Sequence, residues 1–275
     1  MGLLEQIINC KNDEQVNNLI TNAIKDKNKN SKKTEQIGFL ELNKIESHKG
    51  FIPLNTRIKY TNLAVETYGM ETTDFFYEFA HFIRKYNINN KGSLIYNLEY
   101  FINKYFGLFT YDGREEIFYS NAYQTTTTDD ELFEKLENNK IGDLKNKGVA
   151  MCTERAALAE QLLSLFGFDS HYVIGCVKHD NKEEPHAYNI VKRKEDYALL
   201  DYSLPVIKYN NHHQIVSYYP FVGILSKDEY NDFIYNGELK EFNDYEYNED
   251  NKKIEYESKR TYVAGSIEID KSKSL

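Results

Sequence analysis

The chain has 275 residues, 41% of them hydrophobic, and a formal net charge of −9, which is close to the usage of an ordinary globular protein. The excess of acidic over basic side chains argues against nucleic acid as a partner, because such binding depends on neutralising phosphates with lysine and arginine. No apolar stretch could cross a bilayer, the N-terminus lacks signal-peptide features, and three cysteines are too few for a disulfide framework, so a cytoplasmic protein with reduced thiols is expected.

The first part of the sequence is predicted to be mostly helical. Leucine, isoleucine and valine recur near the helical period at the start of the chain, and the polar segment Lys25–Lys33 predicts a loop. Asp74 is placed to cap a later helix of aromatic residues. Ser93 is placed to cap the next helix, which Gly107 would end. Residues 1–110 are therefore assigned to a helical N-terminal region.

A different pattern begins at Gly148. A loop that contains Ala150 leads to Cys152, and the alanines and leucines that follow cover so wide a helical face that this helix must be deeply buried. Gly167 is placed to end the helix. Segments rich in β-branched and aromatic residues then predict strands at residues 170–177, 186–192 and 197–202.

The C-terminal part of the sequence is less regular. Asp228–Tyr235 predicts a helix, and Thr261–Ile269 alternates enough to predict a final strand. The acidic, tyrosine-containing segment Glu238–Glu257 predicts a solvated face or a loose segment. Residues 111–275 are therefore assigned to one region in which a buried helix packs on antiparallel strands, and the chain to the α+β class.

Cys152 carries the most chemical information in the sequence. Most cysteines outside disulfides are small core hydrophobes, but this one is placed in the first turn of a helix. Unpaired N–H groups and a partial positive charge at a helix N-terminus stabilise a thiolate. The backbone N–H of Cys152 would also face a developing oxyanion. These features predict a thiol nucleophile.

His186 and Asp201 are predicted to be its base and the group that orients the base. They lie in neighbouring strands joined by a short polar turn, and side chains alternate between the two faces of a strand. In one register Lys192 pairs with Tyr197, and His186 is then the diagonal neighbour of Asp201 on one face. In a second register, shifted by two residues, the two lie directly opposite each other. A shift of one residue would place them on opposite faces.

The three side chains together predict a proton relay centred on sulfur. Asp201 would accept a hydrogen bond from His186 and fix its tautomer. His186 would take the thiol proton of Cys152 and later deliver a proton to the leaving group. An ion pair of thiolate and imidazolium would be the resting state.

The segment from Gly148 to Pro205 resembles the transglutaminase-like superfamily. The likeness consists, in chain order, of a glycine-containing stretch before a cysteine, a leucine-rich helix end with glycine, a strand, a histidine–alanine–aromatic strand and an aspartate, which are here Gly148–Ala156, Leu162–Phe168, Ser170–Gly175, His186–Val191 and Leu200–Tyr202. The chain departs from the family where Tyr188 replaces the usual tryptophan and where Tyr202, not proline, follows the aspartate.

This resemblance implies a papain-like core with Cys152, His186 and Asp201 as catalytic triad. It implies a cysteine-dependent acyl-transfer enzyme that acts on a carboxamide or peptide bond through a thioester, as a protease, a deamidase or a transglutaminase-type enzyme with a protein or peptide substrate. A second oxyanion donor is needed, for which Asn146 and Gln124 are the candidates. No cofactor or metal is expected, since neither the cysteines nor His212–His213 have partners at metal spacing.

Two other functions stay open at this point. An enzyme like the arylamine N-acetyltransferases would use the same three residue types, although their arginine–glycine–glycine stretch is absent here. A non-catalytic binding module that retains the fold would have a Cys152 inert to iodoacetamide at neutral pH.

Overall fold

The computed structural model consists of two compact units. The first comprises residues 1–39 and 49–170, and the second residues 40–48 and 171–275. The structure describes residues 2–30, 48–49, 57–60, 63–66, 70–107, 150, 152–179, 182–212, 214–248, 250 and 252–265. The predicted boundary between residues 110 and 111 lies outside these ranges.

The first unit is built mainly of helices. Its helices are α1 (Leu3–Ile8), α2 (Asp13–Asn30), α3 (Met70–Lys85), α4 (Lys91–Phe106) and α5 (Cys152–Leu165). A short antiparallel pair, β2 (Arg57–Tyr60) and β3 (Leu63–Glu66), accompanies them. Phenylalanine rings fill much of the core between α3 and α4, and Phe79 meets Phe166, just after α5, edge to face at 5.8 Å.

Helix ends in this unit differ from the sequence prediction. The predicted loop over Lys25–Lys33 is wrong where it is described, because α2 continues to Asn30, with lysines in its last turn that complement the helix dipole. Asp74 lies inside α3. Asn90, not Ser93, caps α4, since its side chain accepts a hydrogen bond from the Ser93 N–H. Gly107 ends α4, as predicted, with a positive φ of 83°.

The second unit is a mostly antiparallel sheet with one helix on it among the described residues. Its strands are β4 (Ser170–His179), whose first residue belongs to the first unit, β5 (Lys182–Lys192), β6 (Asp196–Tyr209), β7 (Ile215–Ser226), β8 (Lys240–Asn248) and β9 (Lys253–Ala264). The strand order is β1 (His48–Lys49), β4, β5, β6, β8, β9, with β7 also on β6 and β4 also on β9. Helix α6 (Lys227–Asn236) begins with a capping box and ends at Gly237.

The strands predicted around His186 and Asp201 are confirmed, each somewhat longer than predicted, and so is the helix predicted at Asp228–Tyr235. The prediction of a loose acidic segment at Glu238–Glu257 is wrong, because β8 and much of β9 lie there. Exposed and more buried side chains alternate at the start of β8, although the segment is acidic. Glu241 is exposed, whereas Asp244 is buried because it is paired with Arg260.

The chain is thus an α+β protein with several helices and a mostly antiparallel sheet. Among the described residues, no helix combines the length and the hydropathy that a membrane crossing requires.

Candidate active site

His186 and Asp201 meet in the core of the second unit. Strands β5 and β6 pair in the register that joins Lys192 to Tyr197, which is the first of the two registers expected from the sequence. The ring Nε2 of His186 lies 2.8 Å from Oδ2 of Asp201. His186 is 4% exposed and Asp201 is fully buried, so water does not weaken this contact.

The carboxylate of Asp201 is held by hydrogen bonds at both oxygens. Its Oδ1 accepts the backbone N–H groups of Ser203 and Leu204, at 2.9 and 3.2 Å. Its Oδ2, the oxygen that faces His186, also accepts the hydroxyl of Tyr262 at 2.7 Å. The orientation of the carboxylate is therefore fixed from β6 itself and from β9.

Asp201 is held in its ionised form. Burial by itself favours the neutral acid, but the charge of His186 and the hydrogen bond from it outweigh that effect. The positive charge of Arg260 and the backbone N–H of Ser203 act in the same direction. The pKa of Asp201 consequently lies well below its ordinary range.

Arg260 supplies a buried positive charge beside this pair. Its Nε lies 2.6 Å from Oδ2 of Asp244 on β8, and its Nη1 donates to the backbone carbonyl of Leu204. The guanidinium stands 4.4 Å from the ring centre of Phe221. Burial disfavours the charged guanidinium, yet the neighbouring tyrosine hydroxyl and the carboxylates of Asp244 and Asp201 raise its pKa above the ordinary value.

Two buried tyrosines complete the surroundings of His186. The rings of Tyr188 and Tyr262 lie 6.3 and 6.4 Å from the imidazole, and 5.3 Å from each other. Burial is the main cause that raises the pKa of both phenols well above the usual value, and the charge of Asp201 adds to it. Both hydroxyls therefore stay protonated and act as hydrogen-bond donors.

Cys152 belongs to the first unit, where it is the first residue of α5, as the sequence predicted. Its side chain is 9% exposed, and Sγ lies 4.0 Å from Oγ1 of Thr153. All three cysteines fall within the described part of the chain, and none forms a disulfide. Cys10 donates to the carbonyl of Gln6, and Cys176 is a buried core residue of β4.

The N-terminal end of α5 is fixed by the buried Arg155. Its guanidinium donates to the side chain of Asn103 in the last turn of α4 at 2.7 Å and to the carbonyl of Gly107, just after α4, at 2.8 Å. Its Nε donates to the carbonyl of Ala150 at 3.3 Å, two residues before Cys152. One side chain thus joins the backbone that enters α5 to α4, which limits the movement of the thiol's attachment point.

A cavity of about 440 Å³ lies elsewhere in the first unit. It is bordered by α1, α2 and Leu165 at the C-terminal end of α5. Leu165 is 13 residues from Cys152, or about 20 Å along the helix. This cavity is therefore unrelated to the thiol.

Of the other candidate site residues singled out in the sequence, the structure describes only His212. The oxyanion candidates Asn146 and Gln124 lie outside the described residues. His212 is exposed in the turn after β6, and His213 is not described. Within the ranges that the structure describes, no group of three or more histidine, cysteine, aspartate or glutamate side chains could hold a metal ion.

Sequence reasoning missed Tyr262 and Arg260. Both stand on β9, two residues apart and therefore on one face of the strand. The predicted strand began at Thr261, which left the arginine outside it. A buried arginine needs an acidic partner, so pairing Arg260 with the acids of the preceding segment was the available signal.

No protein-family model, no curated protein and no solved structure matches this chain.

Proposed function

We propose that this protein is a cysteine-dependent acyl-transfer enzyme with a transglutaminase-like core, in which Cys152 is the nucleophile, His186 its general base and Asp201 the group that orients the base. The observation that carries the proposal is the buried pair of His186 Nε2 and Asp201 Oδ2 at 2.8 Å. A histidine oriented by an ionised, fully buried carboxylate is the arrangement that nucleophilic catalysis by serine or cysteine requires.

The contact with Asp201 defines the tautomer of His186. In the neutral imidazole, Nε2 carries the proton and donates it to the carboxylate. Nδ1 is then the basic nitrogen that would accept the proton of the thiol. The negative charge of Asp201 stabilises the imidazolium that forms, so that proton transfer from a thiol becomes easier.

The chemistry follows from these roles. The Cys152 thiolate attacks the carbonyl carbon of a carboxamide or peptide bond, and the carbonyl electrons move to oxygen. The tetrahedral intermediate collapses to a thioester as the C–N bond breaks, and the imidazolium of His186 gives its proton to the departing amine. Water or a second amine then attacks the thioester, His186 accepts its proton, and the sulfur leaves as the thiolate, which restores the ion pair of thiolate and imidazolium.

The identity of the attacking group separates a protease or deamidase from a transglutaminase-type enzyme. The residues described here serve both reactions equally, because His186 acts on water and on an amine in the same way. The proposed substrate is accordingly a protein or peptide carboxamide, and the acceptor is either water or an amine.

A non-catalytic module is the competing function, and one observation favours it: the side chain of Cys152 is only 9% exposed. A module of this kind would retain the elements of the fold but present an unreactive thiol. The two functions differ in the reactivity of one sulfur atom, which can be measured without knowledge of the substrate.

Thiol labelling of the full-length chain tests the proposal. We expect iodoacetamide at neutral pH to modify Cys152 at least about tenfold faster than an ordinary thiol, because only the thiolate reacts and the imidazolium stabilises it. Cys152→Ala should abolish this fast labelling, and His186→Gln should slow it to the rate of an ordinary thiol. Mass spectrometry assigns the modified cysteine.

Cys10→Ala and Cys176→Ala are the matched controls, since the chain has only these two other cysteines. Each should retain the fast reaction. Equal labelling of the wild type and Cys152→Ala, or a Cys152 rate unaffected by His186→Gln, would contradict the proposed function.

A further inference from the structure

We infer that Tyr262 is a positioning residue of the candidate site, which controls how strongly Asp201 binds His186. A role of Tyr262 in catalysis rests on the proposed function, whereas its hydrogen bond to Asp201 does not depend on that function. Tyr262 stands on β9, whereas His186 and Asp201 stand on β5 and β6.

Tyr262 and His186 donate to the same oxygen atom. Oδ2 of Asp201 lies 2.7 Å from the Tyr262 hydroxyl and 2.8 Å from Nε2 of His186. The other carboxylate oxygen is already occupied by two backbone N–H groups. The two side-chain donors therefore share the negative charge of one oxygen in a buried site, where each bond changes the strength of the other.

A second tyrosine in the same core shows that burial alone does not require this contact. Tyr188 is as deeply buried as Tyr262, and their rings lie 5.3 Å apart. The hydroxyl of Tyr188 donates to the backbone carbonyl of Val263 at 3.0 Å. A backbone acceptor thus satisfies one phenol of this cluster, whereas the other phenol is aimed at the carboxylate that faces His186.

The sign of the effect follows from the shared oxygen. When Tyr262 donates, part of the charge on Oδ2 is neutralised and less of it is available to His186. Without the hydroxyl, the carboxylate attracts the imidazolium more strongly and also loses one of the bonds that fix its plane. Tyr262 therefore balances the orientation of Asp201 against the basicity of His186.

Other ionisable groups lie near this pair on four strands. Arg260 on β9 and Tyr188 on β5 interact with Asp201, whereas Asp244 on β8 is ion-paired with Arg260 and Cys176 on β4 interacts with Tyr188. Arg260 attracts the charge of Asp201, and its own charge is countered by Asp244. Replacing the Tyr262 hydroxyl removes both its bond to Asp201 and its interaction with Arg260, so a change in His186 reports the hydroxyl as a whole.

NMR titration of His186 in the full-length chain tests the inference. In Tyr262→Phe we expect the midpoint of the His186 titration to rise by a few tenths of a pH unit, since neighbouring hydrogen bonds alter each other by on the order of 10–30%. The imidazole ¹⁵N signals of the wild type should show the proton on Nε2, and those of the variant should retain this tautomer, because the freed Oδ2 accepts the proton more strongly.

Two further altered proteins show whether a change in the His186 titration comes from the Tyr262 hydroxyl. Tyr188→Phe removes an equally buried hydroxyl and should leave the His186 midpoint and tautomer unchanged. Site-specific 3-fluorotyrosine at position 262 keeps the ring and donates more strongly, so the midpoint should fall. Opposite shifts of the His186 midpoint in Tyr262→Phe and in the fluorotyrosine protein cannot come from a general loosening of the core. If Tyr262→Phe does not fold, the direction of the shift in the fluorotyrosine protein tests the inference.

An unchanged His186 titration in both proteins altered at position 262, or equal shifts in Tyr262→Phe and Tyr188→Phe, would overturn the inference. Its failure is distinguishable from failure of the proposed function. Fast iodoacetamide labelling of Cys152 together with an unmoved His186 titration rejects only the role of Tyr262. A moved titration together with an inert Cys152 rejects only the enzyme.

Discussion

At the scale of single residues, Asp201 is the best-defined part of the candidate site. Four hydrogen bonds reach its two oxygens, from two backbone N–H groups, one imidazole and one phenol. Such a set of donors suits an anion and excludes a protonated carboxyl, whose own O–H would face another donor. This arrangement explains why the residue stays ionised although burial opposes its charge.

We expect Asp201→Asn to fold at neutral pH and to lower turnover by on the order of a thousandfold or more. The amide is neutral, and its NH₂ group must face at least one of the donors that now serve the carboxylate. His186 then loses both the fixed tautomer and the stabilised imidazolium. Acylation of Cys152 by an activated ester, followed in single turnover, measures the loss; an unchanged rate would show that another group orients His186.

The stability difference between the wild type and Asp201→Asn should depend on pH. Because the folded-state pKa of Asp201 is lowered, its charge contributes stability that is present above about pH 4 and is lost as the pH falls below the unfolded-state value. The free energy of unfolding of the wild type should therefore approach that of Asp201→Asn as the solution is acidified below about pH 4. Urea unfolding over a pH series gives the comparison, and a difference that stayed constant with pH would argue against an ionised Asp201.

At the scale of elements, β9 contributes more to the site than its late place in the chain suggests. It pairs with β8 along most of its length and with β4 near its end, where Gly175 opposes Ala264. This pairing holds Tyr262 and Arg260 in the core beside Asp201. The close approach of β4 and β9 depends on a glycine, because a Cβ at position 175 would lie 1.9 Å from the carbonyl oxygen of Val263.

Gly175→Ala is expected to destabilise the protein by about 1–3 kcal/mol or more, since a backbone atom must move to admit the methyl group. Gly92→Ala in α4 is the control: its Cβ would meet only Asn90 Oδ1 at 3.5 Å, an ordinary contact, and alanine favours a helix by up to about 1 kcal/mol. Denaturant unfolding of both variants measures the two effects. Equal stability of Gly175→Ala and the wild type would mean that β4 and β9 are further apart.

At the scale of the whole molecule, β6 is the strand around which the sheet of the second unit is organised. Residues 197–200 pair with β5 on one side and with β7 on the other, and the end of the strand pairs with β7 and β8. Asp201 comes directly after the doubly paired stretch. The candidate site is therefore attached to the part of the sheet that has the most neighbours.

Hydrogen exchange should show this order of stability. Amides of residues 197–200 are expected to exchange more slowly than those of residues 222–225 on β7, because this stretch of β6 is paired on both sides and β7 is paired with β6 alone among the described strands. Exchange followed by mass spectrometry on overlapping peptides resolves the two strands. Faster exchange in β6 would place the stable centre of the sheet elsewhere.

The sequence alone determined the elements with a strong local signal. The helix from Cys152 and the strands around His186 and Asp201 follow from periodicity, and the short connection between the strands leaves few registers. The structure selected the register in which Lys192 meets Tyr197. These features were predictable because each depends on residues close together in the chain.

Only the tertiary structure decided what surrounds Asp201. Tyr262 is 61 residues away in sequence, and it reaches the carboxylate only because β9 joins the sheet. The strand pair that carries Arg260 and Asp244 was hidden by its acidic composition, since a buried ion pair has the same residue types as a solvated surface. Contacts between segments that are far apart in the chain leave no local sequence pattern, so only the packing of the folded chain reveals them.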